Sequence, residues 1–253
     1  MLIKKIKTEK LTTYVYDTRA EMGKAAGKAA AEAINAVIAE KGQANVIFAA
    51  APSQNEALAS LLAENVDFTK INAYHMDEYA GLGIEDEQSF AKYLYDHVFS
   101  LAPFASVNYI PAKLDADEAC AKYTELLEKF PPDVVCMGIG ENGHIAFNDP
   151  PVADFNDKKL IKKVELDDIC RMQQVHDGCF PTFDDVPKYA LTLTVPALMS
   201  AKYLICTVPA ITKADAVKAM LEGEYGEVCP ATALRKHDGA KMFLDSDSAS
   251  KVL

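Results

Sequence analysis

Short runs of β-forming residues alternate with helical stretches along most of the chain, and this alternation restricts the fold more than any other feature. The runs are NVIFAA (45–50), INAYHMD (71–77), VNYIPA (107–112), VVCMGIG (134–140), ALTLTV (190–195), KYLICTV (202–208) and KMFLD (241–245). Helices are predicted near 54–64, 88–100, 115–129, 165–177 and 212–222, and an Ala-rich one over 18–41 that stops at Gly42. Hydrophobicity is continuous in VVCMGIG and YLICTV, as in strands covered on both faces of a parallel sheet. The pattern predicts an α/β fold: a doubly wound, mostly parallel, modified Rossmann-like sheet with helices on both faces. With no internal repeat and no Gly/Ser linker, the 253 residues read as one domain, 1–253, in which 151–186 is a candidate mobile lid.

Composition removes whole classes of function. Hydrophobic residues make up 50% and charged residues 25%, so the chain can bury a core and is not intrinsically disordered. Lys and Arg number 26 against 37 Asp and Glu, a formal charge of -11 that opposes nucleic-acid binding. A small phosphorylated ligand stays open, because a few backbone amides and one Lys can make a local anion site. The six cysteines are scattered, without a C-x-x-C pair or a Cys/His grouping, which points to free thiols in a reducing cytoplasm and to no metal. The start MLIKKIKTEKLTTYVYD lacks the apolar core of a signal peptide, and no stretch approaches the roughly 18 apolar residues of a membrane span.

In doubly wound sheets ligands sit beyond the carboxyl ends of the strands. Three segments qualify: Ala49 to Asn55, Asp77 to Leu82, and Gly138 to Pro150. The last, G-I-G-E-N-G-H-I-A-F-N-D-P, has glycines that allow close backbone approach and delivers His144 and Asp149 five residues apart. It is not a dinucleotide fingerprint, since a His follows the third glycine. In H-M-D-E-Y-A-G-L, Asp77 and Glu78 point to opposite faces if the backbone is extended, so only one faces a given pocket. Asp77, where the strand gives way to the loop, is the candidate base; a turn or cap role for it remains open, as does a backbone-satisfying role for His144.

Together H-M-D-E-Y-A-G-L and G-I-G-E-N-G-H-I-A-F-N-D-P resemble the glucosamine-6-phosphate deaminase (isomerase) family. Weaker similarity runs through V-P-K-Y-A-L-T (186–192), Thr212-Lys213-Ala214, L-E-G (221–223) and P-A-T-A-L (230–234). The related 6-phosphogluconolactonases typically continue the G-H motif with T-A-S-L-F-P. The resemblance implies deamination and isomerisation of glucosamine 6-phosphate to fructose 6-phosphate and ammonia, with no metal or cofactor. The alternatives are a related sugar-phosphate isomerase, a lactonase-type hydrolase or a non-catalytic sugar-phosphate sensor. It further implies that Asp77 is the proton-transfer base, that His144 opens the sugar ring with Asp149 and Asn142 as its relay, and that Lys213 contacts the phosphate. Ser53, Gln54, Asn55, Glu78, Gly143 and His176 complete the expected substrate contacts.

The departures from the family are specific. Asn142 stands where many members have Asp, and Asp149 replaces Glu. Ala49-Ala50-Ala51-Pro52-Ser53-Gln54-Asn55 replaces a Gly-Gly-Thr/Ser-Pro phosphate loop, and His176 stands near a phosphate-binding Arg. The stretch 151–162 lacks the S-x-T-R-like run of regulated members, which implies hyperbolic kinetics. The oligomeric state is left open, a homo-oligomer included.

Overall fold

A computed structural model describes all 253 residues. The chain opens with an antiparallel hairpin, β1 (Leu2–Thr8) and β2 (Leu11–Tyr16), turned at Glu9 with φ +52°. Helix α1 (Arg19–Lys41) starts where the Thr18 side chain accepts the Glu21 N–H, and ends at Gly42, whose φ of +82° favours glycine. Then come β3 (Ala44–Phe48), α2 (Asn55–Ala63), β4 (Ile71–His75), β5 (Asp77–Tyr79), α3 (Phe90–Leu94) and β6 (Ser106–Asn108). They are followed by α4 (Ala116–Lys129), β7 (Val134–Met137), β8 (Ile161–Glu165), α5 (Asp168–His176) and β9 (Tyr189–Leu193). The chain closes with α6 (Val195–Met199), β10 (Tyr203–Val208), α7 (Ala214–Glu222) and β11 (Ala240–Leu244). No helix is long and apolar enough to cross a membrane.

Eight strands form one sheet in the order β1-β2-β11-β10-β7-β3-β4-β6, parallel throughout except for the β1–β2 pair. Successive residues of its central strands alternate between two apolar clusters. Ile47, Val135, Met137, Leu204 and Cys206 belong to one, and Val46, Phe48, Val134, Cys136 and Ile205 to the other. That two-sided burial is what the unbroken apolar runs encode. Gly23 and Gly27 let α1 lie directly on α2: a Cβ on Gly27 would sit 2.5 Å from Ser60 Cβ and 2.6 Å from the Ala57 carbonyl oxygen.

A second sheet, β5-β9-β8, is antiparallel and was not anticipated. The expected strand over 71–77 is two strands. At Met76 the chain leaves the large sheet, with its carbonyl accepting the Leu193 N–H at 2.8 Å, and Asp77 enters the small one opposite Thr192. Of the run 190–195, residues 190–193 belong to this small sheet, where their apolar continuity reflects burial on both faces rather than parallel pairing, while Thr194 caps α6 and Val195 begins it. Within 151–186, residues Ile161–Glu165 are a strand laddered to β9. The helix expected at 88–100 becomes a π-helical turn over Tyr95–Phe99. The helix expected over 165–177 starts only at Asp168, where Asp167 caps it, and the run 107–112 shrinks to Ser106–Asn108.

Candidate active site

The segments beyond β3, β4 and β7 converge on one cavity. Its wall is formed by Ala49 to Gln54, by Met76 and Asp77, by Gly138 to Gly140 with His144, Ala146 and Phe147, and by Gln173, Gln174 and Asp177. Counting its open mouth, it takes in about 570 Å³ of space between the atoms.

Asp77 reaches the cavity because β5 turns it out of the large sheet. It is 7% exposed. Burial, then the neighbouring Glu78 charge, push its pKa well above the usual carboxylate range, and no hydrogen bond opposes them. A desolvated, unpaired carboxylate beside a ligand cavity is a stronger base than an exposed one.

The loop after β7 aims His144 at the same cavity. Gly140 is required for space, since a Cβ there would lie 2.1–2.3 Å from His144 ring atoms. His144 Nδ1 lies 2.7 Å from Asn142 Oδ1 and 3.0 Å from Asp149 Oδ1, both acceptors, so Nδ1 carries the proton and Nε2 is the free base. Asn142 also donates from Nδ2 to Asp149 Oδ1 at 2.9 Å and accepts the His144 N–H at 3.0 Å. Burial pushes the Asp149 pKa up, but the hydrogen bond and charge of His144 and the Asn142 amide outweigh it, and the net shift is downward. The loop is fastened to β9, where Asn148 Nδ2 donates to the Leu193 carbonyl at 2.8 Å and Thr192 Oγ1 accepts the Phe147 N–H at 3.0 Å. Ala146, at φ +48°, turns the chain there. These bonds give the I-A-F-N part of the motif its physical role. Cys170 is fully buried beside Asp149, whose Oδ2 has no hydrogen-bond partner. His144, Asp149 and Cys170 bring three ligand atoms within 4.8 Å of one another, but a cation held there would break the relay's hydrogen bonds.

At the opposite end, Pro52–Gln54 form a helical turn leading into α2. Gln54 Nε2 donates to the Thr207 carbonyl at 3.0 Å and to Ser53 Oγ at 3.1 Å, which fixes the turn against β10. Lys213 lies on the turn after β10 and is 5% exposed. Burial lowers its pKa, while the Asp177 and Glu141 charges oppose, and no hydrogen bond engages its ammonium. The turn is held by Asp245, whose carboxylate accepts the N–H of Ala210, a residue at φ +82°.

Lys213 is not among the residues of the cavity wall, and four further expected contacts also lie outside it. Glu78 is fully buried on the other face of β5, accepting the N–H groups of Tyr79, Phe90 and Ala91. Asn55 Oδ1 is engaged by the Tyr93 hydroxyl. Gly143, at φ +83°, backs onto Cys229, whose Sγ would be 2.7 Å from a Cβ. His176 is 54% exposed at its side chain, with Nδ1 3.5 Å from Glu141 Oε2, outside the cavity wall. The α5 residues that do reach the wall are Gln173, Gln174 and Asp177. Gln174 Oε1 accepts the Tyr79 hydroxyl at 2.6 Å, and Gln173 Oε1 accepts the Glu141 N–H at 2.9 Å. The run R-M-Q-Q was the available signal, since polar amides on a largely buried helix face need partners. Arg171 supplies no charge to the cavity: it donates to the Phe183 and Val186 carbonyls, each at 2.9 Å, and stacks on the Phe183 ring.

The chain is similar to proteins of known activity along most of its length. The chain is 33% identical over 219 residues to a glucosamine-6-phosphate deaminase of Bacillus cytotoxicus, covering 86% of this chain and 81% of that protein. It is 34% identical over 194 residues to one of Bacillus cereus, covering 76% and 72%. Among solved structures, a monomeric glucosamine-6-phosphate deaminase superposes with a TM-score of 0.86 at 29% identity, over 94% of this chain and 99% of that one. A 6-phosphogluconolactonase from Thermotoga maritima shares the fold, with a TM-score of 0.76 at 19% identity over 93% and 100%. The family profile for glucosamine-6-phosphate isomerases/6-phosphogluconolactonase matches residues 17–243, and the chain belongs to that family.

Proposed function

We propose that this protein converts glucosamine 6-phosphate to fructose 6-phosphate and ammonia in the cytoplasm. The observation that carries the reading is the pairing, on one cavity, of a desolvated Asp77 with a His144 whose Nδ1 is held by Asn142 and Asp149. His144 Nε2 takes the C1 hydroxyl proton and returns one to the ring oxygen, which opens the pyranose. Asp77 then removes the C2 proton and delivers it to C1, while a second proton passes from the amine nitrogen to O1, so that the C1 aldehyde becomes a hydroxymethyl group and C2 an imine that water hydrolyses to ketose and ammonia. Each such proton transfer is worth about 10²–10⁴ in rate. The phosphate is assigned to the Ser53–Gln54 turn and Lys213, where helical backbone amides and one buried cation act together. Of the proposed lid at 151–186, β8 is laddered to β9, and the part that faces the cavity is the α5 end that carries Gln173, Gln174 and Asp177.

The test is ammonia release and ketose formation from a panel of hexosamine 6-phosphates, with a sugar-phosphate lactone alongside. Turnover of glucosamine 6-phosphate is expected, and Asp77→Asn should bind it yet lose at least about 10²-fold in kcat. Turnover of the lactone alone assigns the hydrolase, and binding without turnover assigns the sensor.

A further inference from the structure

Gln174 stands on α5 and forms part of the cavity wall. Its Oε1 accepts the Tyr79 hydroxyl at 2.6 Å, a length that belongs to an O–H···O bond and is short for an N–H···O one, so the amide has a single orientation. Tyr79 cannot follow a turning amide, because Phe90, Phe147 and Phe180 pack against its ring at centroid separations of 4.8, 5.4 and 5.2 Å. Gln174 Nε2 is left with two N–H groups, no partner in the protein, and access to the cavity. The other amides of the wall are spent. Gln173 donates to Asp177 Oδ2 at 3.3 Å and accepts the Glu141 N–H, and Gln54 donates to Ser53 and to the Thr207 carbonyl.

We propose that Gln174 reads the sugar, its Nε2 donating to the C3 or C4 hydroxyl of a hexosamine 6-phosphate. Tyr79 stands two residues beyond Asp77 on the same short strand, and alternate strand residues share a face, so the amide it holds lies alongside the base. Given the deaminase reading on which this depends, Asp77 serves C1 and C2, and the Ser53–Gln54 turn takes the phosphate on C6. The hydroxyls that the closed ring carries between them are those on C3 and C4. The donor is fixed before the ligand arrives, so little ordering is needed on binding. A sugar lacking the hydroxyl leaves a desolvated N–H unpaired, and sites built in this way reject such analogues. The contact touches none of the atoms that exchange protons. It holds the ground state and the transition state alike and therefore bears on KM rather than kcat.

Wild type and Gln174→Met are compared on glucosamine 6-phosphate and on its 3-deoxy and 4-deoxy analogues, with inorganic phosphate as a competitive inhibitor. Wild type should lose about 10-fold in kcat/KM on one of the two deoxy sugars. In Gln174→Met, KM for the parent sugar should rise about 10-fold at unchanged kcat, and that deoxy sugar should then be used as well as the parent. Inorganic phosphate should inhibit both proteins equally. Tyr79→Phe leaves Gln174 in place but frees its amide to turn, and should narrow the same discrimination while turnover persists. Undiminished discrimination in Gln174→Met overturns the inference, and so does an equal weakening of inorganic phosphate, which would put the amide on the phosphate instead. Should Gln174→Met not fold, undiminished discrimination in Tyr79→Phe overturns it alone. A wild type that does not turn over glucosamine 6-phosphate fails the deaminase reading itself, whereas turnover with discrimination intact in the variants fails only the role of Gln174.

Discussion

Asp77 and Glu78 are chain neighbours with opposite environments, and the difference makes a pH-dependent prediction. Glu78 accepts three backbone N–H groups that favour its charged form, yet burial is the larger effect and raises its pKa from 4.5 to about 7. The folded protein therefore holds a proton on Glu78 that the unfolded chain releases at lower pH. This contribution to stability is present below pH 4.5 and is lost as pH rises from 4.5 to about 7. Glu78→Gln stays neutral throughout. Its stability relative to wild type should rise by about 3 kcal/mol between pH 4.5 and 7.5, one pKa unit being about 1.4 kcal/mol. Urea unfolding of both proteins at the two pH values checks this, and a difference that stays flat contradicts the assignment. At this scale the sequence was legible where residues sit close together in the chain: Asp77, Asn142, His144 and Asp149 were all marked by two short motifs. Gln173, Gln174 and Asp177 were not, because nothing local says that α5 folds back onto the loop after β7. His176 failed for the same reason, since a helix position one residue off turns a side chain by about 100°.

Elements were legible where burial writes a pattern and illegible where pairing decides. β3, β7, β10 and β11 carry runs covered on both faces, and α1 has a cap, an apolar stripe and a glycine stop. The β1–β2 hairpin is half solvated, and its alternating charged and apolar residues resemble any surface segment. β5 is three residues long and continues β4 across Met76, so only its pairing with Ala190–Thr192, more than a hundred residues away in sequence, reveals the change of sheet. The contact of α1 with α2 is a tighter constraint than helix propensity. Ala favours a helix over Gly by about 1 kcal/mol, but a methyl on Gly27 meets α2 backbone, and overpacking costs about 1–3 kcal/mol. Gly27→Ala should lose about 1 kcal/mol on balance and lower Tm by about 2–4 °C in a calorimetric scan. Because α2 begins at the Ser53–Gln54 turn, KM for substrate should rise with it. A Tm above wild type would show that α2 moves aside freely.

At the scale of the whole molecule, the cavity lies on a seam: the small sheet supplies Asp77, the large sheet supplies His144 and the Ser53–Gln54 turn, and Asn148 and Thr192 join the two. The fold class was readable from the order of elements, but the seam was not, because it is made by strands distant in sequence. The seam also fixes where the cations go. Arg171 is committed to loop carbonyls, Lys213 is buried beside Asp177, and Arg19, which donates to the Pro52 carbonyl, is paired with Glu56, so the cations near the mouth are each engaged or buried. An anionic sugar phosphate thus approaches a surface with a formal charge of -11 and feels attraction only on arrival. Encounter should accordingly be hindered at low ionic strength and freed by salt, the reverse of a steered enzyme. Raising salt from about 10 to 150 mM shortens the screening length from about 30 to 8 Å while hardly weakening a buried ammonium. The expected result is a rise of about two- to five-fold in kcat/KM with kcat unchanged, and a fall would locate a surface cation that draws the substrate in. Capture, on this account, is limited by the approach to the mouth more than by the grip within it.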